Sequence, residues 1–314
     1  MSTFDVLVIG RSCVDHIAVV DVFPRENSKV ALTQRLVEGG GQGGTAAACI
    51  ARLGGRVCYV GRIGDDDAGR ICLNRLAAFS VDTRRVQVLP GGRTPEAYIV
   101  VTASTGARTI FYEPSTLPRL AAKDLPTALI ASARLLLLDP ETTYLAGLLP
   151  KQGGPRVVYD AERWRDGMTA MMQVADYFIP SRDFLDDERA GGTGQTLAAK
   201  MNRLQARIRG RLIVTDGRQG AYFIDDGQLI QVPAPRVAVR DTTGAGDNFH
   251  AAFALALSWG ERLPEAVRLA AAVASLSCRD YGGRKGVPSL EKARALAATL
   301  IPSPLPTDDP LCRS

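Results

Sequence analysis

Asp241-Thr242-Thr243-Gly244-Ala245-Gly246-Asp247 gathers small residues and two carboxylates into seven positions. With no bulky side chain at Gly244, Ala245 or Gly246, the backbone N–H groups stay open to a phosphate oxygen. The apolar, helix-compatible run that follows, from Phe249 to Leu257, places those amides at a helix N-terminus. The partial positive charge there favours anions. Asp247 then falls in the first turn, placed to take a proton from a hydroxyl attacking that phosphate. A plain glycine turn with an aspartate helix cap would have the same local sequence, so the rest of the chain must decide.

A second stretch, Glu38-Gly39-Gly40-Gly41-Gln42-Gly43-Gly44-Thr45, opens the first strong helix. Such glycine density permits close approach of a ligand to the main chain. It is not a Walker loop, because no GK[ST] follows, and the segment before it is not that of a dinucleotide fingerprint. Asp15 follows the first strand, where ligands of open α/β sheets collect, and a carboxylate there accepts hydrogen bonds from sugar hydroxyls. Asp139 and Glu141 follow Leu135–Leu138 in the same way. Thr215-Asp216-Gly217 through Gly220 forms another glycine loop after a strand, suited to nucleotide phosphates and equally to an ordinary turn.

The elements that must hold these residues alternate. Short apolar runs at Phe4–Gly10, Val57–Gly61, Leu135–Leu138, Val157–Asp160, Tyr177–Ile179 and Leu212–Thr215 read as buried parallel strands. Helical segments fill the intervals, among them Ala46–Leu53, Gly69–Phe79 and Thr193–Ile208. That rhythm predicts a doubly wound, mostly parallel sheet with helices on both faces. Two segments, about residues 15–37 and 94–112, alternate with β-branched residues instead. Ala97–Thr102 and Ala107–Tyr112 read as a hairpin. These strands are expected to form a small separate β-sheet lid inserted in one domain spanning 1–301, with a poorly ordered tail at 302–314.

Lys and Arg number 38 against 33 Asp and Glu, a net charge of +5 spread along 314 residues. No basic stripe of the kind that binds nucleic acid is visible. The six cysteines lack CxxC spacing and read as reduced core residues, and two histidines make a His-based metal centre improbable. No apolar run reaches membrane-spanning length, and Asp5 interrupts any leader, so the expected compartment is the cytoplasm.

The chain resembles PfkB/ribokinase-family carbohydrate kinases over nearly its whole length. Gly40-Gly41-Gln42-Gly43-Gly44-Thr45-Ala46-Ala47, then Gly54 and Gly64, match the family's N-terminal signature, and Asp241–Ala254 its C-terminal one. The resemblance implies a ribokinase-like fold with Asp247 as base and Gly244, Ala245 and Gly246 as anion hole. It places Asp15, Gly40, Gly41 and Thr45 at the acceptor site and Thr215, Gly217, Gly220 and Thr243 at the ATP site, with Mg²⁺ bridging phosphates. Asp241 and Thr243 resemble positions that bind a monovalent cation, usually K⁺. Thr45 stands where the signature usually has asparagine, and the N-x-x-E motif is replaced by Ser181-Arg182-Asp183-Phe184. The nearest-looking subgroup is that of sulfofructose kinases, with Lys29 matching a lysine available to an anionic substituent. Phe111 and Glu141 depart from that subgroup, Glu141 resembling a sugar-hydroxyl contact instead.

The expected function is an ATP-dependent sugar kinase acting on a small carbohydrate, a ketose or related sugar, in a homodimer joined through its lid sheets. Two rivals are a nucleoside kinase, for which Tyr98, Phe111 and Tyr112 are the stacking candidates, and a non-catalytic sugar- or nucleotide-sensing protein of the same fold.

Overall fold

Val6 and Val8 face one apolar layer and Leu7 and Ile9 the other. A central strand covered on both faces must be apolar at every position, and β1 (Val6–Ile9) is buried throughout. A computed structural model describes residues 4–149, 153–192 and 194–305. After β1 come β2 (Cys13–Val20), β3 (Gln34–Gly40), α1 (Gln42–Arg52), β4 (Val57–Gly64), α2 (Asp67–Ala77) and β5 (Asp82–Leu89). Then follow β6 (Glu96–Thr102), β7 (Ala107–Tyr112), α3 (Thr127–Ser132), β8 (Leu135–Leu138), β9 (Arg156–Ala161), α4 (Met168–Met172), β10 (Tyr177–Pro180) and α5 (Leu197–Gln205). The chain continues through β11 (Arg211–Thr215), β12 (Ala221–Asp225), β13 (Gln228–Val232), α6 (Ala245–Ser258), α7 (Leu263–Ser277), α8 (Leu290–Ala298) and β14 (Ser303–Pro304).

The main sheet has the order β5-β4-β1-β8-β9-β10-β11-β12-β13-β14. It is parallel from β5 to β11 and antiparallel beyond. Side chains of α1, α6, α7 and α8 cover one face, and those of α3, α4 and α5 the other. β1 lies between β4 and β8, so the loops leaving β1 and β8 diverge and open a crevice at the strands' carboxyl ends.

The lid is a second sheet of order β3-β2-β6-β7. The expected hairpin is present, with Thr102 opposite Ala107. Ile17, Val19, Ala97, Ile99 and Val101 make its own small core. In one respect it differs from expectation: residues 21–33 are a connection between β2 and β3 rather than strand, and Lys29 sits exposed in that connection.

Three further differences have physical causes. β5 escapes a search for apolar runs because it lies at the sheet edge, is nowhere fully buried, and carries two adjacent exposed arginines, Arg84 and Arg85. The helix expected at Thr193–Ile208 is shorter, with Thr196 capping it through Ala199 N at 3.2 Å, and Thr193 lies outside the described residues. The tail from Pro302 is partly structured: Ser303 and Pro304 pair with Gln231 and Ile230, and Leu305 N donates to Leu229 O at 2.8 Å. Residues 306–314 lie outside the described residues. Among the described residues, no helix is long and apolar enough to cross a membrane.

Candidate active site

α6 starts because Gly244 turns the chain into it at φ +71°, a left-handed angle that favours glycine, and a Cβ there would fall 2.7 Å from Gly283 Cα. Asp241 holds the turn from beneath. Its Oδ1 accepts from Thr243 N (2.8 Å) and Thr243 Oγ1 (2.7 Å), and its Oδ2 accepts from Gly282 N (2.8 Å). Asn248 Nδ2 donates to Gly283 O at 2.8 Å, fixing the same loop from the helix side. Thr243, Gly244, Gly246 and Asp247 therefore emerge together on the wall of a cleft of about 520 Å³.

That cleft runs under the lid and along the carboxyl ends of the strands. Asp15, Gly41, Gln42 and Thr45 line one part, and Ser181, Asp183 and Thr215 another. The lid contributes Arg108, Ile110 and Tyr112, and Arg108 Nη1 donates to Thr242 Oγ1 at 2.7 Å, tying the hairpin to the α6 turn. Asp160, at the end of β9, completes the wall beside Asp247 and His250.

The electrostatics are dominated by buried carboxylates. Burial, then the charge of Asp160, pushes the pKa of Asp247 well above the ordinary carboxylate range, while His250 and Arg108 pull it back. Asp160 is raised by burial and by Asp139. Asp15 is also raised by burial, against the Cys13 thiol, Arg284 and Arg11. Asp139, pushed up to about 6 by burial, accepts from Arg11 N (2.5 Å) and Glu141 N (3.0 Å) and so joins the loops after β1 and β8.

A family model described as pfkB family carbohydrate kinase matches residues 3–290. The chain belongs to that family. The ribokinase of Bacillus subtilis is 26% identical over 303 residues, covering 93% of this chain and 99% of its own. A structure of Arabidopsis thaliana ribokinase complexed with ribose and ATP superposes with a TM-score of 0.77 at 25% identity, over 93% of this chain and 98% of that one. The ribokinase of Thermotoga maritima shares the fold, with a TM-score of 0.79 at 23% identity over 94% and 100% of the two chains.

In this pfkB-family site, several residues singled out from sequence stand apart from the cleft. Glu141 is half-exposed and pairs with Arg165 (3.0 Å) and Arg11 (3.7 Å), and it does not line the cleft. Lys29 is likewise outside it. Gly217 and Gly220 shape the β11–β12 connection, Gly220 at φ +102° with Val232 and Ala234 backbone packed against it. Ala245 begins α6 without lining the cleft, and Asp241 is buried behind it. Of the three aromatic stacking candidates only Tyr112 lines the cleft, whereas Tyr98 and Phe111 are exposed elsewhere on the lid. Phe184, the last residue of the altered N-x-x-E segment, is buried in the core, leaving Ser181 and Asp183 on the wall.

The glycine stretch has a second purpose that its composition does not disclose. A Cβ on Gly40 would collide with the Asp15 carboxylate, and one on Gly39 with the Arg284 guanidinium. On Gly44 it would lie 2.6 Å from Arg284 Nη2. Arg284 is buried, donates through Nη2 to Gly40 O at 2.8 Å, and leaves Nε and Nη1 without a partner. Its charge faces Asp15, Cys13 and Cys72, and burial lowers its pKa. Arg284 thus braces the Asp15 end of the cleft from behind. Arg284→Lys keeps the charge but loses the fork. Loss of a charged hydrogen bond of about 1.5–3 kcal/mol predicts an acceptor KM at least about tenfold higher. The KM for ATP should not change, and steady-state kinetics with each substrate varied in turn checks the split.

Sequence reasoning does not reach Arg284, whose partner Gly40 is 244 positions away. Asp160, read from the sequence only as the end of a strand, carries the same strand-end signal as Asp15 and Asp139, and that signal could have singled it out.

The donor set also bears on metals. Among the described residues, no group of three or more His, Cys, Asp or Glu side chains could hold a metal ion. A divalent ion here would therefore depend on ligands brought by a nucleotide. The amide end of α6 and Arg108 suit the phosphates that would carry it.

Proposed function

We propose that this pfkB-family chain is an ATP-dependent kinase of a small carbohydrate, a ketose or related sugar. One observation carries the reading: Asp247 and the open end of α6 share a single cleft with Asp15 and the glycine stretch. A phosphate group and a hydroxylated acceptor can then meet at one carboxylate. Asp247 accepts the proton of the attacking hydroxyl as its oxygen bonds to the γ-phosphorus and ADP departs. The amides of Gly244, Ala245 and Gly246 stabilise the charge on the transferring group. Asp15, Gly41 and Thr45 orient the acceptor, with Gly40 leaving room for the Asp15 carboxylate, and Thr215, with Gly217, Gly220 and Thr243, belongs to the nucleotide end. Mg²⁺ would be carried by the nucleotide's phosphates and would neutralise their charge, with Asp183 the carboxylate of the cleft wall nearest in kind to help hold it. K⁺ would sit at the carbonyls of Asp241 and Thr243.

The lid excludes water from the transferring phosphate. All six residues of β7 are exposed, with Ile110, Phe111 and Tyr112 among them, so a second lid packed against this edge in a homodimer would cover apolar surface and an unpaired strand. The cytoplasm, which supplies ATP and Mg²⁺, suits this activity.

The test is ADP release from Mg·ATP, with K⁺ present, across matched panels of sugars and nucleosides. Turnover with a sugar and none with nucleosides is the expected result. Nucleoside turnover would overturn the acceptor assignment, and sugar binding without any turnover would point to a sensor.

A further inference from the structure

One turn along α6 from Asp247, His250 is buried with both ring nitrogens against backbone carbonyls. Nδ1 lies 2.6 Å from Gly246 O and Nε2 lies 3.1 Å from Ile179 O. A carbonyl oxygen only accepts, and a neutral imidazole carries one N–H. The ring therefore satisfies both contacts only when both nitrogens are protonated. Asp160 Oδ1, on the neighbouring β9, stands 3.5 Å from Nε2. An ionisable ring thus lies among two buried carboxylates, Asp160 and Asp247, and all three open on the same cleft.

We propose that His250 and Asp160 are positioning residues that set the proton-accepting state of Asp247 in opposite senses. The imidazolium holds the Asp247 carboxylate ionised and ready to accept a proton. The Asp160 carboxylate opposes that ionisation directly. This rests on the reading of Asp247 as the base. The pair adds no chemical step: the hydroxyl proton still goes to Asp247 as the oxygen–phosphorus bond forms.

The surrounding charges have the required signs. Asp247 is also faced by Arg108 from the lid and Asp15 across the cleft, and its charge reaches the Cys49 thiol on α1. Asp160 is faced by Asp139, Glu162 and Arg165. Burial of the His250 ring outweighs the two carbonyls and Asp247 and lowers its pKa, so the doubly protonated ring belongs to the acid side of the profile. Desolvation and Asp160 raise Asp247, and His250 lowers it.

The experiment compares pH profiles of kcat/KM for the acceptor, at saturating Mg·ATP, in wild type, His250→Asn and Asp160→Asn. Asparagine at 250 can still donate to a carbonyl but cannot carry charge. The acid limb is expected to move to higher pH in His250→Asn and to lower pH in Asp160→Asn, with rates on the limb changing about tenfold per pH unit of displacement. A residue that only fills space would move neither. Limbs that stay in place, or move in the same direction, overturn the proposal.

A second readout needs no activity. The chain has two histidines, so ¹⁵N-imidazole NMR, assigned with His16→Gln, follows His250 alone. Two protonated nitrogens on the acid side, lost at lower pH in Asp247→Asn than in wild type, support the assignment. A ring with one N–H throughout pH 5–8 in wild type overturns it. Undiminished kcat in Asp247→Asn would remove the base, and this inference with it. Lost turnover in that variant with unmoved limbs in the other two would remove the inference alone.

Discussion

Asp247→Asn is expected to lower kcat by about 10²–10⁴-fold, the usual contribution of a positioned general base. Asparagine matches the carboxylate in shape but cannot accept the proton, so the fold and the α6 turn should persist. The variant should still bind nucleotide, because the phosphate-facing amides belong to the backbone. Single-turnover rates separate the chemical step from product release, and calorimetric titration with a non-hydrolysable ATP analogue checks binding. If the variant kept its chemical rate, another group in the cleft would have to accept the proton. Asp160, buried on the same wall, would be the first to examine.

The second large effect is expected at Gly244. An alanine there must adopt φ near +71°, at a cost of about 1–2 kcal/mol, with its methyl group against Gly283 Cα. The turn can relieve that contact only by shifting the start of α6. Oxyanion donors act through placement, and loss of one typically costs about 10²–10³ in kcat. Gly244→Ala should accordingly lower kcat by about that factor, with a smaller change in acceptor KM because Asp15 is held by separate contacts. Gly246→Ala is the strain-free comparison: nothing lies within 4 Å of its would-be Cβ and it is not in the left-handed region, so any loss there reports a methyl group on the cleft wall rather than backbone strain. Equal losses in the two variants would mean that strain at Gly244 is not the cause.

What the sequence discloses and what it conceals follow from the range of the interactions. The α6 turn is legible because its chemistry is local: small residues, a helix start and a carboxylate lie within seven positions. β8 is legible for the same reason, Leu135–Leu138 being apolar throughout because both faces are covered. The β12–β13 hairpin had a readable signal in Asp226-Gly227, both at positive φ in the tight turn between the strands. β5 offers little, since an edge strand tolerates exposed arginines such as Arg84 and Arg85. Glu141 shows how ambiguous a strand-end carboxylate is, since arginines, here Arg11 and Arg165, draw it as readily as a ligand would. The link between Arg284 and Gly40 has no local signature at all.

The glycine stretch is a mould already filled by the protein's own atoms. Arg284, Asp15 and the Gly10 backbone occupy the spaces beside Gly39, Gly40, Gly43 and Gly44. Side chains introduced there would displace protein before they touched an acceptor, so these positions offer a protein engineer no handle on selectivity. The adjustable surface lies opposite, in Ile110, Tyr112 and Glu113 of the lid and in Glu162 and Arg163 beyond β9, all of which line the cleft. A library meant to retune acceptor preference should be confined to those five sites, leaving the mould and its filling intact.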